Sequence, residues 1–136
     1  MNYWLVKSEP YAYSWDDFTA AGVSVWDGVR NYQARNNLQA MKLNDSVLFY
    51  HSNQGMCVVG LARVSKESYP DPTINDPRWV VVELEPIEAF KRPVTLKEMK
   101  ANARLQNIAL IKHSRLSVMP VGAEEFDIIL NLGNQE

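Results

Sequence analysis

One cysteine in 136 residues leaves no partner for an internal disulfide and rules out a multi-cysteine metal site. Cys57 precedes Val58 and Val59, a setting that favours a small buried hydrophobe over a nucleophile, and a reducing compartment fits. Histidine is nearly as scarce. His51 and His113 are the only two, neither with a carboxylate at ligand spacing, so no metal and no other cofactor is expected. The G-x-S-x-G elbow, the P-loop and the H-E-x-x-H helix are all missing, and with them the commonest signatures of hydrolase, nucleotide and zinc chemistry. No run approaches the roughly 20 apolar residues that cross a bilayer. The start, Met1 to Lys7, has neither the basic beginning nor the apolar stretch of a signal peptide. The expectation is a protein that stays where it is made, without a membrane partner. Repeats, linkers and low-complexity tracts are also missing, so residues 1–136 are read as a single domain.

What is present is an ordinary soluble balance, 46% apolar and 22% charged, with a net charge of −2 that gives no global sign of a polyanion partner. The distribution is less even. Lys91, Arg92, Lys97, Lys100, Arg104, Lys112 and Arg115 face only Glu98 within their segment, a net of +6 that leaves −8 elsewhere. Such a segment either meets a polyanion or is a solvated surface of helix and loop, and composition leaves both open.

Along the chain, Tyr3 to Lys7 reads as a strand stopped by Pro10. Ser14 caps a short helix with Asp16 and Asp17 in its first turn and Gly22 at its end. Val25 to Gly28 is a bend. Asn31 to Met41 is a helix whose buried side is Tyr32, Leu38 and Met41. Strands follow at Ser46–Ser52, Cys57–Ser65 and Trp79–Ala89, the first two joined by the hairpin signal Asn53-Gln54-Gly55. In the first of these both faces are apolar, which suits a strand between a barrel interior and a covering helix. Glu67 to Arg78, with three prolines, reads as an ordered loop. Thr95 caps a further helix with Glu98 at the capping-box position, and a helical piece runs through Arg104 to Asn107. A last strand, Leu116 to Met119, ends at Pro120, and a helix from Glu124 to Leu132 turns Phe126, Ile129 and Leu130 inward. Five or six strands with peripheral helices and no regular βαβ alternation give an α+β class, a small mixed β-barrel.

Polar and aromatic residues gather at strand ends, where pockets form. Lys7-Ser8-Glu9-Pro10, Trp26 to Tyr32, and His51-Ser52-Asn53 share one mouth if the strands align. A base needs a flat apolar wall, which Trp26 or Trp79 supplies by stacking, and edge partners, which Ser8, Asn31, His51 and Ser52 supply. Arg30 and Arg115 suit flanking phosphates. Each has a plainer reading. Trp4, Trp15 and Trp26 are also core-packing residues, His51 also satisfies a backbone group, and Arg30 also pairs with Asp27. An enzymatic reading would use Lys7, Glu9 and His51 as acid and base, or Ser8 or Ser52 with His51 as nucleophile and base. Catalysis is not indicated.

Four blocks, Tyr3–Pro10, Trp26–Asn36 (W-x-G-V-R-N-Y-Q-A-R-N), Val47–Ser52 and Arg115–Val118, together resemble the EVE domain over about Asn2 to Leu132. The resemblance implies a PUA-like fold related to the YTH readers of methylated adenine. It also implies binding of DNA or RNA that carries a modified base, methylated or hydroxymethylated, next to restriction-like or other nucleic-acid-processing proteins. Carried over by motif position, Trp26 is the cage or stacking residue. Ser8, Asn31, His51 and Ser52 line the pocket with Trp79, while Lys7, Arg30, Arg35 and Arg115 favour the backbone. The chain begins directly at the domain, which points to a bacterial, cytoplasmic protein, with the nucleus expected of a eukaryotic one. By analogy with the sister ASCH branch, the alternative is a hydrolase of modified nucleobases or nucleosides, with Lys7 and Glu9 as acid and base.

Overall fold

A computed structural model describes residues 1–135. Six strands form one sheet in the order β2-β5-β4-β3-β1-β6, open between its outermost strands and curved into a rough barrel. Strand β1 (Tyr3–Ser8) lies parallel to β3 (Ser46–His51) and antiparallel to β6 (Val118–Val121), so the start, middle and end of the chain meet at one place. The hairpin of β4 (Cys57–Pro70) and β5 (Val80–Thr95) continues the sheet to the two-residue strand β2 (Ser24–Val25).

Local signals account for most of these elements. Helix α1 (Trp15–Ala21) starts with a full capping box, since the Ser14 hydroxyl accepts from the Asp17 amide and the Asp17 carboxylate accepts from that of Ser14. Helix α2 (Tyr32–Ala40) is capped by the Asn31 side chain, which accepts from the Ala34 amide at 2.9 Å. Helix α3 (Leu96–Ala101) begins at Thr95 as expected, but Glu98 turns its carboxylate to a bidentate pair with Arg92, 2.9 Å for each bond. A 3₁₀ turn at Ala103–Leu105 and the single-turn helix α4 (Ala109–Lys112) lead to β6, and α5 (Ala123–Gly133) packs Phe126 and Ile129 inward across β5.

The core lies between the concave sheet and its helices. It includes Leu5, Val6, Leu48, Phe49, Val64, Leu84, Met99 and Met119 together with Phe18 of α1 and Leu38 of α2. Each such side chain stabilises the fold by about 1.5–3 kcal/mol through burial. Both faces of β3 are buried, as its double apolar pattern requires. Trp4 is a core residue with its indole N–H donated to buried Asp45 at 3.0 Å.

Four expectations need correction. The bend at Val25 contains β2, whose pairing continues in the Trp26 amide bonded to the Val82 carbonyl at 2.8 Å. The hairpin strands reach Pro70 and Thr95, which shortens the proline-bearing loop to residues 71–79. The last strand lies two residues later and contains Pro120, tolerated because β6 is an outermost strand. Tyr32 is 51% exposed; Ala34 and Leu38 are the buried side of α2, with Met41 buried just after its end, while Tyr32 leans on Trp79 with ring centroids 5.1 Å apart.

Candidate nucleic-acid interface

The C-terminal end of β1 opens onto a hollow of about 810 Å³, within the range of about 300–1,000 Å³ typical of ligand sites. Lys7, Ser8 and Glu9 form one side, Tyr13 and Ser24 another, Trp26 to Arg30 a third, and Ser117 closes it from the strand end of β6. Trp26 is half-buried. Its indole meets Tyr13, Phe18 and Phe49 edge-on at centroid distances of 6.3, 6.2 and 5.8 Å, an arrangement favoured by aromatic quadrupoles. One part of the ring is therefore locked into the core cluster while the remainder borders open space.

The wall after Trp26 turns at Gly28, whose φ of 77° is a region that side chains disfavour. Its anchor is Asp71, only 2% exposed, in the loop between β4 and β5. One Asp71 oxygen accepts from the Gly28 amide at 3.2 Å and from the Arg30 guanidinium at 2.9 Å; the other accepts from the Thr73 amide and hydroxyl. Burial alone would raise the Asp71 pKa, yet the bonds from Thr73, Arg30 and Gly28 outweigh it and hold the carboxyl at about 2. Arg30 thus pairs with Asp71 and not with the neighbouring Asp27.

Of the residues singled out in the sequence, Lys7, Ser8, Trp26 and Arg30 line the hollow together. The Lys7 ammonium, its pKa lowered by burial, donates to the Ser114 carbonyl at 2.7 Å. The Ser8 hydroxyl donates to the Tyr13 carbonyl at 2.5 Å. Asn31 and Arg115 line an adjoining groove.

His51, Ser52, Trp79 and Arg35 are placed otherwise. His51 pairs in register with Ser8, but its Nε2 accepts from the Trp15 amide at 3.0 Å, at the first residue of α1. Burial lowers its pKa, partly opposed by Asp16, and the imidazole is the neutral acceptor this bond requires. The plainer reading of His51 therefore describes its geometry, and the proposed serine–histidine pair is not formed. Ser52 donates its amide to the Ser8 carbonyl at 2.9 Å and is not among the lining residues of the hollow. Trp79, 9% exposed, lies under Tyr32 with the Arg30 and Arg78 guanidinium carbons 5.8 and 5.9 Å from its ring centroid. Arg35 bonds the Asn36 side chain and the Arg78 carbonyl.

Sequence reasoning missed Tyr13, whose hydroxyl bonds that of Ser24, and Asp71. Nothing in Tyr11-Ala12-Tyr13 distinguishes one tyrosine from the other, and Asp71 reads as an ordinary loop acid between prolines. The assembled hollow offers a flat aromatic wall, hydroxyls, an ammonium and the Glu9 and Asp27 carboxylates, which are the partners a heteroaromatic base needs.

No helix among the described residues is long and apolar enough to cross a membrane. Thymocyte nuclear protein 1 of Mus musculus is 39% identical over 99% of this chain and 75% of its own. The crystal structure of human THYN1 protein in complex with DNA containing 5-methylcytosine superposes with a TM-score of 0.94 at 35% identity, covering 100% of this chain and 99% of that one. The YTH domain of Zygosaccharomyces rouxii MRB1 protein, solved with N6-methyladenosine RNA, shares the fold at a TM-score of 0.64 and 17% identity, over 99% of this chain and 85% of that chain. A six-stranded α+β fold of the PUA-like kind, matched over residues 2–132 by the model of the EVE domain, places the chain in the EVE domain family.

Proposed function

We propose that the chain is a binding module for nucleic acid carrying a methylated base, with 5-methylcytosine in DNA as the first candidate, and that the base enters the hollow beside Trp26. The observation that carries this reading is the half-buried indole at the edge of an open hollow large enough for a nucleobase. The human relative's complex with DNA containing 5-methylcytosine supports the choice of ligand. Stacking on Trp26 contributes about 1–3 kcal/mol, against a cost of a few kcal/mol for extruding a base. Edge bonds from Ser8, Ser24 or Ser117 make up the difference. One methyl group adds about 0.8 kcal/mol by burial, so discrimination from the unmodified base is a few-fold. Lys7, Arg30, Arg35 and Arg115 contribute backbone attraction. His51, Ser52 and Trp79 act from behind the walls, the first by holding α1 and the last by backing Arg30.

Titration of Trp26→Ala against methylated and unmethylated oligonucleotides tests the site. Binding to the methylated strand is expected to fall about tenfold, equivalent to about 1.4 kcal/mol of lost stacking. A folded variant that binds and discriminates like the parent would overturn the reading.

One observation favours a second reading, hydrolysis of a modified nucleobase. Lys7 and Glu9 border the same hollow, and burial lowers the Lys7 pKa. Turnover of an acylated cytidine that Lys7→Ala abolishes would establish it; no product from the parent protein would exclude that substrate.

A further inference from the structure

Beside the hollow runs a shallower groove of about 320 Å³, lined by Asn31, Gln33, His113, Ser114, Arg115 and Leu116. The two depressions adjoin at consecutive residues of the chain. Arg30 lines the hollow and Asn31 the groove; Ser117 lines the hollow and Leu116 the groove. The Lys7 ammonium bridges between them by its bond to the Ser114 carbonyl.

Their electrostatics differ. In the hollow, Lys7 and Arg30 face Glu9 and Asp27, and Arg30 is already held by Asp71. That lining is close to neutral and suits a neutral base. The groove has no carboxylate in its lining, although the chain holds 16 acidic residues against 14 Lys and Arg. Among the described residues, the side chains of Arg115, His113 and Gln33 have no hydrogen-bond or ion partner. All six other arginines are engaged: Arg30, Arg63, Arg78, Arg92 and Arg104 with carboxylates, and Arg35 with the Arg78 carbonyl. An unpaired guanidinium beside amide and imidazole donors, with no acid to neutralise it, matches an anion with several oxygens.

We infer that this groove holds the phosphodiester flanking the base that occupies the hollow, with Arg115 as its main contact and Gln33 and His113 as further donors. The inference rests on the base-binding reading and divides the nucleotide in two, the neutral base going to the neutral hollow and the anionic linkage to the acid-free groove.

The test is a salt titration of the full chain on a 5-methylcytosine duplex and its unmodified counterpart, with parent, Arg115→Ala, Arg115→Lys, Gln33→Ala and Trp26→Ala. Melting curves establish that each variant is folded; Arg115 is exposed and unpartnered, so its removal leaves the fold in place. Arg115→Ala is expected to weaken both duplexes alike and to reduce the slope of log affinity against log salt by about one, while Arg115→Lys keeps the slope. Gln33→Ala is expected to weaken both duplexes alike with the slope kept, since an amide carries no charge. A slope unchanged in Arg115→Ala overturns the inference, as does a loss confined to the methylated duplex. If Trp26→Ala leaves the methyl preference intact, the base-binding reading fails, and the slope result still decides whether the groove holds phosphate.

Discussion

Asp71 holds more of the candidate site in place than any residue inside it. Its carboxylate ties Gly28 and Arg30 to a loop 43 and 41 residues away. Asp71→Ala would leave a guanidinium, two amides and a hydroxyl without their acceptor, a loss of about 1–3 kcal/mol in stability. Its carboxyl sits at about 2 in the fold against 3.8 ordinarily, so the unfolded chain takes up the proton first as pH falls. The contribution of Asp71 is therefore full above 3.8 and lost as pH falls toward 2, and chemical denaturation of Asp71→Asn should be flatter than the parent in that window. His51 works on the same principle at higher pH. Its folded pKa is lowered from 6.5, so as pH falls through 6.5 the unfolded chain gains a proton that the fold resists. Melting temperature should decline as pH drops below 6.5, and His51→Gln, which keeps an acceptor for the Trp15 amide, should remove that part of the decline.

At the scale of elements, β4 approaches α1 closely enough that only glycine fits at one position. A Cβ on Gly60 would lie 2.5 Å from the Trp15 ring, at a point where the β4–β5 register also shifts. Trp15 is buried and packs edge-on to Phe18 and Phe49, so it cannot retreat. Gly60→Ala should destabilise the fold by about 1–3 kcal/mol through overpacking, read as a lower denaturant midpoint with an unchanged m-value. The sequence marked Trp15 as a packing residue, but its partner Gly60 lies in a strand 45 residues on. Capping signals were legible for the opposite reason. Ser14, Asn31 and Thr95 each bond the amide three residues ahead, within the reach of local pattern. Tyr32 was misread because α2 buries Ala34 and Leu38, whereas its first residue lies over Trp79 on the loop side.

For the whole molecule, the single thiol reports on global unfolding. Cys57 is buried in β4 beside the β3 strand end, and burial pushes its pKa up, so the native protein presents neither access nor thiolate. Labelling by a thiol reagent should be slow in native buffer and should accelerate along the same denaturant curve as the loss of tertiary structure. Fast labelling of the folded protein would show that the β3–β4 end opens locally. The basic segment from Lys91 to Arg115 also resolves at this scale. Arg92 and Arg104 pair with Glu98 and Glu124, while Arg115 is left beside the groove, so the segment is partly a solvated surface and partly a candidate anion contact.

The order of the longer strands and helices, their caps and the W-x-G-V-R-N-Y block were determined by the chain's own pattern, because alternation, capping and turn chemistry act over a few residues. The tertiary structure alone decided which side chains share a cavity. The pairing of β1 with β6 sets Ser117 beside Lys7, and the pairing of β2 with β5 carries Trp26 to the same opening. The parallel pairing of β1 with β3 leaves His51 at the start of α1, and the hairpin loop carries Trp79 under Tyr32. Direction off a strand depends on register and on what packs against it, and both are set by residues distant in the chain.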